Sequence, residues 1–311
     1  MIVLRWAAGL VVLGLLLYFL PMAPLRAAIA RVPISRFVLV LAGYLLAHAL
    51  GIVKWRMVVN AAGADLDFAT SAQCYTGGLF GTLFLPSIVG GDAIRLAVGL
   101  RRSPRPAAVL AGNVVDRILD VSTQGALVLF GLVLLPDSLP EQLEEKAEDV
   151  LMWVGVAAIV VLVAGFLLWK KLLRGRSFRF RRRLARLRHA LRSVSRQPRV
   201  LVIGWAMGTF IQSAFLILTA RLAVYCGLSL PLRVWFFAWP LAKLAAVLPL
   251  TQGGIGVREA ALVALLAPFG AAGSLVLAAG LVWEGVILAG GLVAGAVALG
   301  LRRIETSRAQ P

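Results

Sequence analysis

Apolar positions in this chain come in long runs, separated by short clusters of charge. Six runs, at about 3–20, 37–54, 109–134, 150–169, 200–224 and 273–299, are each long enough to cross a bilayer as a helix. The first, MIVLRWAAGLVVLGLLLYFLPM, has no small-x-small cleavage site after it and reads as a retained helix. Two further apolar stretches are interrupted. Residues 72–90 are rich in glycine and broken by Pro86, and residues 232–268 are broken by Pro240, Pro249 and Gly253-Gly254. The pattern predicts an all-α polytopic membrane protein with about six full spans and two re-entrant, broken-helix hairpins.

Composition agrees with that reading. Hydrophobic residues make up 60% and charged residues 15% of the 311 positions, where soluble domains run near 45–50% and about 25%. This excludes an ordinary soluble enzyme and a disordered chain. The 32 basic and 14 acidic residues leave a net charge of +18. The basic residues lie mostly in connections, so positive-inside topology explains them without nucleic acid. Residues 170–199 carry 13 Lys or Arg and no acid, whereas residues 137–149 carry six acids and one Lys. Placing 170–199 in the cytoplasm puts 137–149 outside and both termini inside. The two broken hairpins then enter from opposite faces. Leu184, Leu187 and Leu191 recur at helical spacing, so part of the basic connection is expected to lie as an amphipathic helix on anionic lipid. Trp55, Trp153, Trp169, Trp205 and Trp283 read as interfacial anchors, and Cys74 and Cys226 as packing residues.

The two breaks repeat each other. The first, LPSIVGGDAIR, places Pro86, Gly90, Gly91 and Arg95 in the order P-x3-G-G-x3-R, and LPLTQGGIGVRE places Pro249, Gly253, Gly254 and Arg258 at identical spacing. Arg56, Val59 and Gly63 precede the first, as Arg221, Val224 and Gly227 precede the second. Repeat-like units are therefore expected at 56–134 and 221–299, joined through 170–199 within one transmembrane domain, 1–311, as an inverted repeat. Pro and a Gly pair permit a reversal, and a helix starting after it aims its free N–H groups and positive dipole end at the break. Arg95 and Arg258 would lie about one turn into such helices and face one shared anion-binding cavity. The competing reading makes the breaks packing turns, with both arginines reaching to headgroups. Glu259 directly follows Arg258, and adjacent helical residues point to different faces, so separate jobs are expected for them.

Charge also lies within the spans. Asp116 and Asp120 sit four residues apart on one helical face, and Arg117 is placed to pair with Asp120. Glu284 lies deep in the last span, where it can balance Arg258 or Arg117 or take up a proton. No nucleophile–base pair, metal-ligand cluster or nucleotide-binding loop stands out, so neither enzyme activity nor a cofactor is expected. His48 reads as a satisfied polar residue of its span.

At these same positions the chain resembles the flippase-like transmembrane domain of lysylphosphatidylglycerol synthases. The pieces that carry the resemblance are WRMVVNAAG at 55–63, LFLPSIVGGDAIR at 83–95, VVDRILD at 114–120 and LPLTQGGIGVREAALV at 248–263. The resemblance implies movement of an anionic, aminoacylated or polyprenyl-phosphate-linked lipid between leaflets, in a bacterial inner membrane. It points to Gly90, Gly91, Asp92, Arg95, Asp116, Arg117, Gly253, Gly254, Arg258 and Glu259, to which the charge pattern adds Asp120 and Glu284. Bifunctional members carry a C-terminal soluble aminoacyl-transferase domain. Here the sequence ends twelve residues after the last span, so synthase activity is expected of a separate lipid-modifying enzyme. A non-transporting subunit that binds such an enzyme through 170–199 is the alternative.

Overall fold

The structure is a computed structural model, and it describes residue 18 and residues 22–84, 88–135, 178–246 and 256–308. The predicted span at 150–169, the acidic segment, and Pro86, Pro249, Gly253 and Gly254 lie outside the described residues. Ten α-helices are described: α1 Met22–Ala30, α2 Ile34–Ala61, α3 Phe68–Gly81, α4 Ile88–Arg102, α5 Pro106–Val133, α6 Phe178–Ser195, α7 Pro198–Tyr225, α8 Leu232–Ala245, α9 Val257–Leu266 and α10 Gly273–Arg308. Of these, α2, α7 and α10 (through Arg303) are long and apolar enough to cross a membrane. Helix α5 is also 28 residues long but carries Asp116, Arg117 and Asp120 midway.

Helices α2 and α7 end alike. Gly63 and Gly227 take φ values of +92° and +93°. The N–H groups of Ala64 and Leu228 reach back to the carbonyls of Val59 and Ala223, closing the carboxyl ends of both helices. A side chain at either glycine would meet the left-handed steric penalty, which fixes the residue type. After each cap a 14-residue helix follows, α3 in the first half and α8 in the second. α3 packs on α4, and α8 packs on α9. Pro240 does not break the second stretch as expected but lies inside the continuous α8. Gly131 of α5 seats against the α8 backbone at Phe236 and Phe237, one turn before Pro240. That close approach covers the stretch of helix left short of an N–H donor by the proline.

Two apolar clusters hold the bundle. The larger gathers Phe215, Trp235, Phe237, Trp239 and Trp283 among α1, α2, α5 and α7–α10, and the smaller packs Trp55, Val59, Val109, Ala190 and Val194. Two expectations fail here. Trp55 and Trp283 are buried rather than interfacial, and the Trp55 indole donates to Asn113 Oδ1 at 3.1 Å. Helix α6 turns Leu187, Ala190, Leu191 and Val194 onto protein instead of lipid. It is pinned there by Ser193 and Gln197, which both donate to the Ala61 carbonyl at the end of α2. Trp205 remains exposed, as an anchor would be.

The Gly131 contact carries a prediction. A Cβ there would sit 2.5–2.7 Å from the backbone atoms of Phe236 and Phe237, whereas one at Gly125 meets nothing within 4 Å. Gly131→Ala should therefore cost about 1–3 kcal/mol by overpacking. Gly125→Ala should be neutral or gain up to about 1 kcal/mol from helix propensity. Thermal unfolding of the two purified variants side by side checks the ordering.

Candidate functional site

Six helices surround a cavity of about 260 Å³ in the middle of the bundle. α2 contributes His48 and Lys54, α3 Tyr75, α4 Asp92 and Arg95, α5 Asp116, Arg117 and Asp120, α7 Gln212, and α8 Lys243. Helical spacing places them: Asp92 and Arg95 are three apart, and Asp116 and Asp120 four apart, so each pair shares a face. Small residues let the walls close. Gly91 lies so near Gly78 that a Cβ on Gly78 would be 2.8 Å from the Gly91 carbonyl oxygen, so α3 and α4 meet backbone to backbone.

Opposite charges alternate along one wall. Lys54 Nζ donates to Asp116 Oδ1 at 2.7 Å and to Asp120 Oδ1 at 2.6 Å. Arg117 Nη2 lies 3.2 Å from Asp116 Oδ2 and 3.0 Å from Asp120 Oδ2, and its Nε is 3.4 Å from Asp92 Oδ2. The expected Arg117–Asp120 pair is thus present, but both aspartates are shared with Lys54. Sequence reasoning placed Lys54 at a span end beside Trp55 and Arg56. The helix instead continues to Ala61 and buries it. A lysine inside hydrocarbon needs a counter-charge, and two carboxylates supply it.

Arg95 is held differently. It is 7% exposed, and its guanidinium stacks 4.2 Å from the Tyr75 ring centroid. Tyr75 is in turn hydrogen-bonded to His48 at 3.1 Å. Asp92 and Asp116 stand 3.6 and 3.7 Å from Arg95 Nη1, close enough to attract but too far for a hydrogen bond. Nε and Nη1 consequently have no hydrogen-bond partner among the described residues. Across the cavity Lys243 Nζ donates to Gln212 Oε1 at 2.6 Å and has no carboxylate partner among the described residues. The lining residues Lys54, Arg95, Arg117 and Lys243 outnumber Asp92, Asp116 and Asp120 by one positive charge. The sequence reading missed Lys243, whose signal was a lone lysine in an otherwise apolar stretch, and took Lys54 for a span end because Arg56 follows it closely.

The second arginine lies elsewhere. Arg258 Nη2 donates to Glu259 Oε1 at 2.6 Å and to Glu284 Oε1 at 2.5 Å, and its plane lies over Trp239. It does not line the cavity with Arg95, as had been expected. Its neighbour also differs from expectation, because Glu259 and Arg258 are partners. Glu259 bends back to accept the Gly256 N–H through Oε2 at 2.7 Å, and that return brings its other oxygen to the guanidinium. The two breaks are unlike in another respect. Gly90 and Gly91 fall inside α4, which starts at Ile88, so Arg95 is two turns in and no helix start points at it. Arg258 lies in the first turn of α9.

Residues 2–295 match the model of the family described as the lysylphosphatidylglycerol synthase TM region, and the chain belongs to that family. Membership and the apolar helices together mark an integral membrane protein with a lipid-related function. Neither a curated protein nor a solved structure matches the chain.

The buried network predicts a charge-specific stability pattern. Lys54→Met strands Asp116 and Asp120 in the interior and should cost about 3–5 kcal/mol. Adding Asp116→Asn to it keeps the buried charge in balance and leaves Asp120 paired with Arg117, so part of that loss should be restored. A double loss as large as the sum of separate losses, read by thermal unfolding, would mean that these charges are not coupled.

Proposed function

We propose that this member of the family moves an anionic lipid between membrane leaflets, taking the headgroup into the central cavity without making or breaking a bond. The observation that carries the proposal is the positive excess there, with Arg95 donors unfilled and Lys243 lacking a counter-ion. A phosphate or carboxylate would complete both, because a charge-assisted hydrogen bond in a desolvated site is worth about twice a neutral one. An aminoacylated phospholipid and a polyprenyl-phosphate-linked lipid both carry the phosphate that the cations would take.

An alternating-access path between two inverted repeats fits the matched helices. α2 and α7 are both 28 residues long, and α3 and α8 are both 14. His48 and Gln212, each the fifteenth residue of its helix, line the same cavity from the two halves. Tyr75 and Trp239, each the eighth residue of its helix, lie under Arg95 and Arg258. At about 1.5 Å per residue, α3 and α4 reach about 21–23 Å, too short to cross about 30 Å singly, which suits re-entrant hairpins. Arg258, Glu259 and Glu284 would hold the second half together.

Reconstitution in liposomes with a headgroup-accessible fluorescent phosphatidylglycerol tests this reading. Wild-type protein should expose inner-leaflet headgroups to an external quencher, and Lys243→Gln should slow that about 10- to 100-fold, the loss of a contact worth about 1.5–3 kcal/mol. Arg95→Lys should also slow it, since an ammonium cannot replace a planar fork stacked on Tyr75. No movement by folded wild-type protein would favour a non-transporting partner of a lipid-modifying enzyme.

A further inference from the structure

A second cavity, of about 390 Å³, lies between the start of α5 and the outer side of α6 and shares none of its described lining residues with the central one. Arg105, Arg182, Arg186 and His189 surround it, over a floor of small apolar residues that includes Pro106 and Ala185. No carboxylate occurs among its described lining residues. This groove exists because α6 docks on protein. With Ala190 and Val194 buried against α2 and α5, Arg182, Arg186 and His189 form a stripe at i, i+4 and i+7 along its rim. Arg105 is fixed at the other rim by donating from Nη1 to the Gly63 carbonyl at 3.2 Å. The amino end of α5 opens between them. Pro106, at the first position, has no N–H to offer, and the Ala107 N–H precedes the helical hydrogen-bond ladder, so the positive dipole end faces the groove.

We propose that this groove is a binding site for a phosphate group, held by Arg105, Arg182 and Arg186 at the amino end of α5. Three arginines line this one concavity, Arg182 and Arg186 from α6 and Arg105 from the residue before α5, and a guanidinium can bind two phosphate oxygens in parallel. Uncompensated cations around one concave site favour an anion far more strongly than the same charges spread over a helix face. The small apolar floor suits the glycerol or first methylenes of a phospholipid, whereas a soluble phosphate would use the cations alone. The site is independent of transport through the central cavity and gives the chain a separate hold on an anionic lipid.

The full chain, purified in neutral detergent, is titrated with dihexanoyl phosphatidic acid and with inorganic phosphate, and bound ligand is counted by native mass spectrometry. Two double variants are compared. Arg182→Gln/Arg186→Gln empties the groove; Arg188→Gln/Arg196→Gln removes the same charge from exposed positions of the same region outside it. Both are made in a Lys243→Gln background, so that an anion held in the central cavity does not mask binding at the groove. Phosphatidic acid binding should weaken tenfold or more in the groove variant and less than twofold in the other. Equal weakening in both, or none in either, overturns the site. Phosphatidic acid binding at least tenfold tighter than inorganic phosphate assigns the groove to a lipid headgroup. Equal affinities assign it to a soluble phosphate.

Discussion

Charge buried in a low-dielectric interior must be matched by opposite charge or by a ligand, and this fold is arranged around that requirement. Lys54, Asp116, Asp120, Arg117 and Asp92 satisfy one another along one wall, which ties α2, α4 and α5 into a unit. Arg258, Glu259 and Glu284 do the same for α9 and α10. Where the matching is least complete among the described residues, at Arg95 and Lys243, the side chains line the central cavity. Packing and charge are joined in the same residues: Tyr75 both lines the cavity and supports the Arg95 guanidinium from below.

The two halves start from similar sequence and reach different chemistry. Arg95 and Arg258 are both buried, and both lie over an aromatic ring from the preceding short helix. Each also has an acid from the following long helix nearby, Asp116 in one half and Glu284 in the other. Arg258 is saturated by close carboxylates. Arg95 has only distant ones, because Lys54 and Arg117 take the nearer oxygens of Asp116. With Lys54 in α2 facing Asp116 and Asp120, Arg95 is left less fully paired than Arg258.

Much of this was legible in the sequence. The expected spans at 109–134 and 200–224 differ from α5 and α7 by a few residues, because long apolar runs have sharp polar edges. The matched glycines were legible as well: Gly63 and Gly227 stop their helices for the same steric reason. Other features depend on tertiary partners that no local pattern carries. Lys54 reads as a membrane edge until two aspartates some sixty residues away receive it. Leu187 and Leu191 show the spacing of a lipid-facing helix, and spacing cannot say whether lipid or protein covers that face. Pro240 reads as a break, yet the approach of α5 at Gly131 lets the helix run on.

Glu259 has a mechanical consequence. One carboxylate oxygen accepts the N–H at the start of α9, while the other holds Arg258, which grips Glu284 on α10. The beginning of a short helix and the middle of a long one are thereby riveted through a single side chain. A shift of α10 at Glu284 is thereby felt at the start of α9 as well as through the Ala267–Gly270 turn that joins the two helices. The contact of α3 with α4 is made in another way, by glycine backbones in close approach and by Tyr75 beneath Arg95. The two halves are thus fastened differently, the second through one carboxylate that serves two partners and the first through a lysine shared by two carboxylates.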